Sequence, residues 1–417
     1  MFRSQSLSIL SQDGRLLFYT RTIRLFAYGF LSVILIIYLT QIGLSKTQIG
    51  FLLTSTLLGD AVISLWMTTI ADRVGRKRML IVGSILMVVA GIIFALTNNI
   101  VLLILVATIG VISPGGNEVG PFLAIEQASL SHLVSDQMRT RVFAWYALVG
   151  ATSTAIGALC TGFLVQVLTD HFQWTLLDSC RVVVFGYGAI GVVLFILFNR
   201  LSSEVEILKD RSTKINIFAV FKDRFGLPHS AKTVLKLSML FTLDSFAGGF
   251  ILQSIVAYWF YIRFGVDPVV LGGIFFGINV LSGLSALVSA RLSSKIGLIP
   301  TMVFTHIPAN LLLILVPLMP NLSWAITIYL LRSTMAQMDV PVRQSYTMAV
   351  VTPEERSAAA GVTNIARTLG MSISPIFIGP LLGHAELLQI AFFVGGGLKI
   401  VYDLLLYKNF RHITKAN

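Results

Sequence analysis

The chain has 417 residues, of which 55% are hydrophobic and 12% are charged, and its mean hydropathy is +0.84. Soluble globular proteins carry roughly 25% charged residues, so this composition excludes a soluble protein and predicts an integral membrane protein. The net charge is +12. The basic residues lie in short clusters between apolar runs, which favours the charge bias of membrane-protein loops over nucleic-acid binding.

Apolar segments follow one another along the whole chain. A helix needs about 20 residues to cross the hydrocarbon core, and long continuous runs favour helices over the short alternating strands of a barrel. We call the predicted membrane helices spans 1 to 12. Their ranges are 20–41, 48–70, 79–97, 100–133, 142–168, 181–199, 234–262, 268–290, 300–319, 324–349, 358–382 and 386–407.

The longest polar stretch, 200–233, divides the chain nearly in half. It predicts an N-terminal six-helix bundle at 1–199, a cytoplasmic linker, and a C-terminal six-helix bundle at 234–417. Positive charge is concentrated in this linker, in the loops on the same side of the membrane and after span 12. The positive-inside rule therefore predicts that both termini are cytoplasmic. We expect a multi-pass protein of a plasma membrane or a bacterial inner membrane.

The two halves repeat. Short segments match in order at similar offsets: LFAYGF at 25–30 matches SFAGGF at 245–250, and charged positions in 126–139 match those in 343–356. Three glycines recur at an offset of 222 residues: Gly43 with Gly265, Gly50 with Gly272, and Gly75 with Gly297. The common order predicts two parallel halves related by an axis along the membrane normal.

The loop after span 2 contains a short charged motif. Residues 71–78 read ADRVGRKR, with Thr68 upstream. From Asp72 to Lys77 this resembles the signature of the major facilitator superfamily, roughly G-x-x-x-D-R-x-G-R-[RK], with Thr68 at the position of the first glycine. Glycine permits a tight turn with positive φ. The resemblance implies a conformational switch, although the loop could simply fix topology by charge. The switch residues would be Asp72, Arg73, Gly75, Arg76 and Lys77.

With the spans and the repeat, the resemblance covers nearly the whole chain. It implies an all-α integral membrane fold of 12 transmembrane helices in two pseudo-symmetric six-helix bundles, with spans 1, 4, 7 and 10 lining a central cavity. It also implies a secondary active transporter that works by alternating access. Expected partners are a small-molecule substrate, membrane lipid and a coupling proton, with no nucleic acid; we expect a monomer. Alternatives are a proton-driven multidrug efflux antiporter and a membrane sensor without net transport.

An enzyme is the other class of function that the sequence could encode. Its six histidines are scattered, and the chain contains no HExxH, GxSxG or Walker pattern. Two cysteines, Cys160 and Cys180, do not suggest a disulfide scaffold or a metal site. We therefore predict no enzymatic activity, no cofactor and no metal.

Ionisable residues inside membrane spans are costly and usually face protein or a water-filled cavity. In the repeat, Arg24 of span 1 aligns with Asp244 of span 7, and Glu126 of span 4 aligns with Arg343 of span 10. We hypothesise two ion pairs, Arg24 with Glu126 and Asp244 with Arg343. Crosswise pairing between the halves is an alternative, and purely structural pairing within each bundle is another.

Other polar residues in the spans extend the candidate site. Helical spacing places Arg332, Asp339 and Arg343 on one face of span 10. Span 11 offers Asn364 and Arg367, and spans 7 and 8 offer Gln253, Tyr258 and Asn279. His306 is interpreted as a satisfied interfacial histidine, and Lys399 with Asp403 as a local pair. The candidate substrate and cavity residues are Arg24, Tyr28, Asn117, Glu118, Glu126, Asp244, Arg332, Asp339, Arg343 and Tyr346.

Desolvation of a carboxylate disfavours its charged form, so carboxylates in a cavity can take up protons. The proton-coupling candidates are Glu118, Glu126, Asp244 and Asp339. Several arginines beside acids favour an anionic or zwitterionic substrate.

Overall fold

The structure is a computed structural model that describes residues 10–117, 121–134, 136–206, 230–352 and 355–411, without the side chains of residues 72, 73, 136–141 and 357. The described residues are mainly helical and include no strand. Nine of the predicted spans are present there as helices that are long and apolar enough to cross a membrane. They comprise span 2 (Lys46–Val74), span 3 (Arg76–Leu96), span 5 (Asp136–Asp170), span 6 (Leu176–Asn199), span 7 (Ala231–Gly249 and Gln253–Phe264), span 8 (Pro268–Ile296), span 9 (Leu298–Leu315), span 11 (Arg356–Ile373, then Pro375–Ile378) and span 12 (Ala385–Phe410).

Besides span 11, four spans in the described residues are divided into two helices, and they are the first and fourth of each half. Span 1 consists of the helices Gln12–Ser32 and Leu35–Gln41, which are bent by 46° relative to each other. Span 4 consists of Ile100–Ile109 and Phe122–Leu133, span 7 of the two helices given above, and span 10 of Leu322–Ser333 and Asp339–Ala349. The sequence ranges predicted these four spans but not the breaks inside them. In span 4 the cause is visible in the sequence, since Pro114 and Gly116 interrupt the helix and Gly116 has a φ of +67°.

The equivalent positions of these breaks support the internal repeat. The backbone at the repeated glycines does so as well, because Gly43 and Gly265 have φ of +86° and +61°, and Gly75 and Gly297 have φ of +114° and +92°. Only glycine adopts such angles without strain. The repeat found in the sequence is therefore a repeat of local structure.

Small residues bring neighbouring spans into backbone contact. A Cβ on Gly29 of span 1 would lie 2.0 Å from the backbone oxygen of Thr154 in span 5, and one on Gly157 would lie 2.1 Å from that of Phe26. In lipid, where apolar side chains gain little by leaving the solvent, close backbone packing is a main source of helix association. The glycines of span 5 thus serve packing.

The contacts divide the chain into two units. The first comprises Met1–Arg211 and Gln253–Asn279, and the second comprises Ser212–Leu252 and Val280–Asn417. The second part of span 7 and the start of span 8 therefore pack with spans 1 to 6. Most of the predicted linker lies outside the described residues, so the boundaries at 199 and 233 stay a prediction.

Candidate functional site

In the first unit, the charged centre is a bidentate ion pair. Arg24 donates from Nη1 to Oε1 of Glu126 at 2.6 Å and from Nη2 to Oε2 at 2.7 Å, and both side chains are fully buried. Thr20 donates to Oε1 at 3.0 Å, and the Tyr146 hydroxyl donates to Oε2. The Arg24 guanidinium also lies over the ring of Phe122. The hypothesised pair is therefore present, and it joins spans 1, 4 and 5 with both carboxylate oxygens satisfied.

In the second unit, Asp244 is shared between two cations. Its Oδ2 lies 3.2 Å from Nη1 of Arg343, and its Oδ1 lies 2.6 Å from Nζ of Lys399. Arg343 uses the same Nη1 to reach Asp339 at 2.9 Å. We call these four residues the Asp244 network. The hypothesised Asp244–Arg343 pair is present, but it is monodentate and part of a branched set of contacts.

The predicted local pair between Lys399 and Asp403 is wrong, because Lys399 instead reaches Asp244 in span 7. Gly248 of span 7 lies beside Lys399, and a Cβ there would be in ordinary van der Waals contact with Nζ, at 3.8 Å. Asp403 is fully buried and faces His306 of span 9, with Nδ1 at 2.9 Å and 3.1 Å from its two oxygens.

His306 is satisfied as predicted, but it is buried, at 5% exposed, and not interfacial. Asn310, one turn further along span 9, donates to Asp403 at 3.4 Å. Sequence reasoning missed this contact between spans 9 and 12. The available signal was a pair of polar residues four apart in each of two apolar spans: His306 with Asn310, and Lys399 with Asp403.

Arg367 of span 11 carries a charge that no described residue neutralises by direct contact. Its guanidinium makes no hydrogen bond or ion pair with them, and its Nε is buried. Ile365, Leu369 and Ile373 form an apolar face of the same helix and are 42%, 45% and 48% exposed, as expected of a side that faces lipid. Arg367 and the exposed Asn364 lie on a different side. A polar face in a membrane span indicates a watery or protein environment.

Of the remaining residues in span 10, the structure does not bring Arg332 into the Asp244 network. The helix ends at Ser333 and a new one begins at Asp339, so helical spacing does not extend across the break. Arg332 lies over the ring of Tyr329 at 5.3 Å. The predicted three-residue stripe is therefore wrong, and only Asp339 and Arg343 meet.

The two predicted tyrosines are buried side chains. Tyr28 is fully buried, and Tyr346 is 3% exposed and packs edge-on against Phe410. Asn117 is exposed at the break of span 4, where its carbonyl accepts a hydrogen bond from Ser113. Glu118 lies outside the described residues.

The breaks of spans 1, 4 and 7 meet at Gln253 within the first unit. Its Nε2 donates to Oγ of Ser32 at 2.8 Å, and its Oε1 accepts from Asn279 at 3.0 Å. The neighbouring backbone N–H of Ser254 donates to the carbonyl of Pro114 at 3.1 Å. Backbone groups that the broken helices release are thereby partly satisfied by other spans, as the bilayer interior requires.

The charged loop after span 2 contacts the chain just beyond span 6. The Glu206 carboxylate accepts hydrogen bonds from the backbone N–H of Arg76 at 2.7 Å and of Lys77 at 3.1 Å, at the start of span 3. Lys77 Nζ donates to the carbonyls of Asn199 and Leu201 at 2.8 Å and 2.6 Å. A Cβ at position 75 would lie only 3.0 Å from the Glu206 carboxylate, so glycine at this position leaves room for that contact.

Sequence reasoning singled out the glycine and the basic residues of this loop but missed their acidic partner. The side chains of Asp72 and Arg73 lie outside the described part of the chain. The predicted switch role of the motif stays a prediction.

The internal repeat and the charges buried in spans 1, 4, 7 and 10 favour the family that the motif resembles. The sequence matches the family model of the Major Facilitator Superfamily over residues 17–375. This chain belongs to the Major Facilitator Superfamily. It therefore has the all-α fold of that superfamily and is a multi-pass membrane protein of a family of transporters, which are not enzymes.

The proteins that are similar to this chain carry different functional names. The chain is 29% identical over 419 residues to the uncharacterized membrane protein YJR124C of Saccharomyces cerevisiae, covering 95% of this chain and 93% of that protein. It is 27% identical over 169 residues to the quinolone resistance protein NorA of Staphylococcus aureus, covering 40% and 39%. The xylose transporter XylE from E. coli, in a partially occluded inward open conformation, aligns with a TM-score of 0.72 at 13% identity, covering 97% and 100%.

Proposed function

We propose that this superfamily member is a secondary active transporter that moves a small organic anion or zwitterion by alternating access, coupled to protons. The observation that carries the proposal is the guanidinium of Arg367, which has no ion-pair partner among the described residues and whose Nε is buried. Arg367 is only partly exposed, and a charge that is largely removed from water without a partner is costly. A carboxylate or phosphate group of a substrate would supply the direct partner that Arg367 lacks.

The surroundings of Arg367 fit an anion that enters and leaves. Arg343, Asp244 and Asp339 lie within electrostatic range of it. Both ion pairs of Arg343 use Nη1, so its Nη2 is outside those pairs. Guanidinium groups bind carboxylates and phosphates through planar, bidentate hydrogen bonds. Two guanidiniums beside two carboxylates would hold an anion, and a proton taken up with the anion would keep the total charge unchanged.

Two of the predicted carboxylates fit the proton-coupling role best. Asp244 and Asp339 both contact the same nitrogen of Arg343, so a proton on either one would release part of that contact and leave the guanidinium to the substrate. Glu126 has four donors, and its protonation would cost at least one of those hydrogen bonds. We assign Glu126 to holding the first unit together.

A second candidate function is proton-driven efflux of drugs or other xenobiotics. The local similarity to NorA, which is named for quinolone resistance, favours it. If the exported compounds are apolar or cationic, an unpaired arginine offers them no partner. The two functions therefore differ in whether Arg367 matters.

Flux measurements in proteoliposomes separate these functions. Radiolabelled lactate, succinate, citrate and glutamate, and the cationic dye ethidium, are offered with and without an imposed pH gradient. We expect the gradient to drive at least one anion, and Arg367→Gln to reduce that flux roughly tenfold or more. Arg181→Gln is the control, because Arg181 forms a partly exposed pair with Asp178. Flux of ethidium alone, unaffected by Arg367→Gln, would contradict the anion proposal and favour efflux.

We further propose that the protein works as a monomer in a plasma membrane or bacterial inner membrane with both termini in the cytoplasm. The distribution of basic residues among the loops supports this orientation.

A further inference from the structure

Spans 9 and 12 hold a buried histidine–aspartate pair that the anion site does not use. His306 and Asp403 are 5% and 0% exposed, and they lie outside the four broken spans. Both oxygens of Asp403 face Nδ1 of the imidazole. The neutral ring therefore carries its hydrogen on Nδ1, toward the carboxylate, and an incoming proton would add to Nε2. The imidazolium that results would remain paired with the carboxylate.

The charges around this pair come from every span packed against it. Span 12 packs against spans 7 and 9, and span 9 packs against span 10. The charged groups facing the pair are Lys399 of span 12, Asp244 of span 7, and Asp339 with Arg343 of span 10. Tyr402 of span 12 lies edge-on to the imidazole, with ring centroids 6.1 Å apart.

The formal charges of the side chains in this region cancel, and one group among them can change its charge. Asp244, Asp339 and Asp403 supply three negative charges, and Arg343, Lys399 and Arg367 supply three positive charges. In this set of described residues, the imidazole is the group that ordinarily titrates between about pH 5 and 8. The region is thus neutral when His306 is neutral. One bound anion leaves it short of one positive charge, which one proton restores.

We propose that the His306–Asp403 pair is a proton-binding site that is linked through Lys399 to the anion-binding arginines. The proposal rests on the proposed function for the anion, but the proton site stands on its own contacts. This proton-binding site lies in spans 9 and 12, outside the spans that line the cavity in this superfamily. It is separate from the carboxylates that the sequence predicted for proton coupling.

Lys399 supplies the link because it bonds to Asp244 at 2.6 Å and lies within electrostatic range of Asp403, one helical turn away in span 12. A proton on His306 cancels the negative charge of the His306–Asp403 pair, so the electrostatic attraction of Lys399 to that pair is lost and its contact with Asp244 strengthens. A stronger Lys399–Asp244 contact competes with the Asp244–Arg343 contact and frees Arg343. Proton binding thereby promotes anion binding, and linkage requires the reverse as well.

The proton site is tested by nuclear magnetic resonance of the full chain in lipid nanodiscs with ¹⁵N-labelled histidine. His306→Gln identifies the His306 signal by its disappearance. We expect that signal to titrate between about pH 5 and 8. Lys399→Met removes a nearby positive charge and should move the titration midpoint to higher pH by about one unit. Lys408→Met, which removes an exposed lysine from the same span, should leave it in place.

A second variant keeps the test decisive if Lys399→Met does not fold. Asp403→Asn removes the negative partner and should move the His306 midpoint to lower pH by about one unit or more. A His306 signal that does not titrate in this range would overturn the proton site. A midpoint that responds to Lys399→Met no more than to Lys408→Met would overturn the link. The titration needs no substrate, so it is independent of the flux measurement. If His306 does not titrate, the flux result for the anion still holds. If no anion flux is found, the titration result still holds.

Discussion

Replacing Glu126 with glutamine isolates the contribution of the buried ion pair in the first unit. The substitution keeps the size of the side chain and removes its charge. In the native protein, each carboxylate oxygen accepts two hydrogen bonds: Oε1 from Arg24 and Thr20, and Oε2 from Arg24 and Tyr146. A glutamine has one oxygen, so its amide NH₂ must face the two donors at the other position.

The magnitude follows from the burial of Arg24. Its side chain is 0% exposed, so the guanidinium gains no water when its partner loses charge. Breaking a buried ion pair by removing one partner costs about 3–5 kcal/mol. An exposed pair would contribute only about 0–1 kcal/mol. We therefore expect Glu126→Gln to lower the free energy of unfolding of the first unit by about 3–5 kcal/mol.

Denaturant titration of purified protein in mixed micelles measures this loss. Glu386→Gln, an exposed substitution at the start of span 12, is the matched control and should change stability by less than about 0.5 kcal/mol. A double variant, Arg24→Met with Glu126→Leu, removes both charges and should lose less than Glu126→Gln, because apolar replacement of a whole buried pair is often close to neutral. A loss below about 1 kcal/mol, or a double variant as unstable as the single one, would refute the assignment of Glu126 as a structural anchor.

Three further predictions concern the loop after span 2, helix packing and topology. Glu206→Ala removes two hydrogen bonds to the start of span 3 and should lower the free energy of unfolding by about 1–3 kcal/mol. The control Glu204→Ala, at an exposed neighbour, should leave that free energy unchanged. Equal effects of the two substitutions in unfolding titrations would contradict the contact. Gly29→Ala places a Cβ 2.0 Å from the Thr154 oxygen and should abolish monodisperse folding in size-exclusion chromatography, while Gly273→Ala, which meets nothing within 4 Å, should not. Epitope tags at both termini should be labelled by antibody only after permeabilisation of the membrane; labelling of intact cells would reverse the predicted orientation.

Much of the fold could be predicted because its causes are local or repeated in the chain. Apolar length predicts membrane spans, and the offset of 222 residues relates Gly75 to Gly297, whose positive φ angles the backbone confirms. The same repeat aligned Arg24 with Asp244 and Glu126 with Arg343, and these opposite charges predicted the ion pairs Arg24–Glu126 and Asp244–Arg343. Buried charges of opposite sign in equivalent helices have few other ways to be compensated inside a bilayer.

Tertiary structure alone decided which neighbouring span each remaining charge meets. Spacing along span 12 favoured a contact between Lys399 and Asp403, yet the long lysine side chain reaches Asp244 beside Gly248 while Asp403 turns to His306. The depth and rotation of packed helices set such contacts, and neither is encoded in the period of a single helix. The residues within the apolar spans therefore showed which charges lie inside the membrane, whereas packing determined their partners and gave Arg367 no ion-pair partner among the described residues.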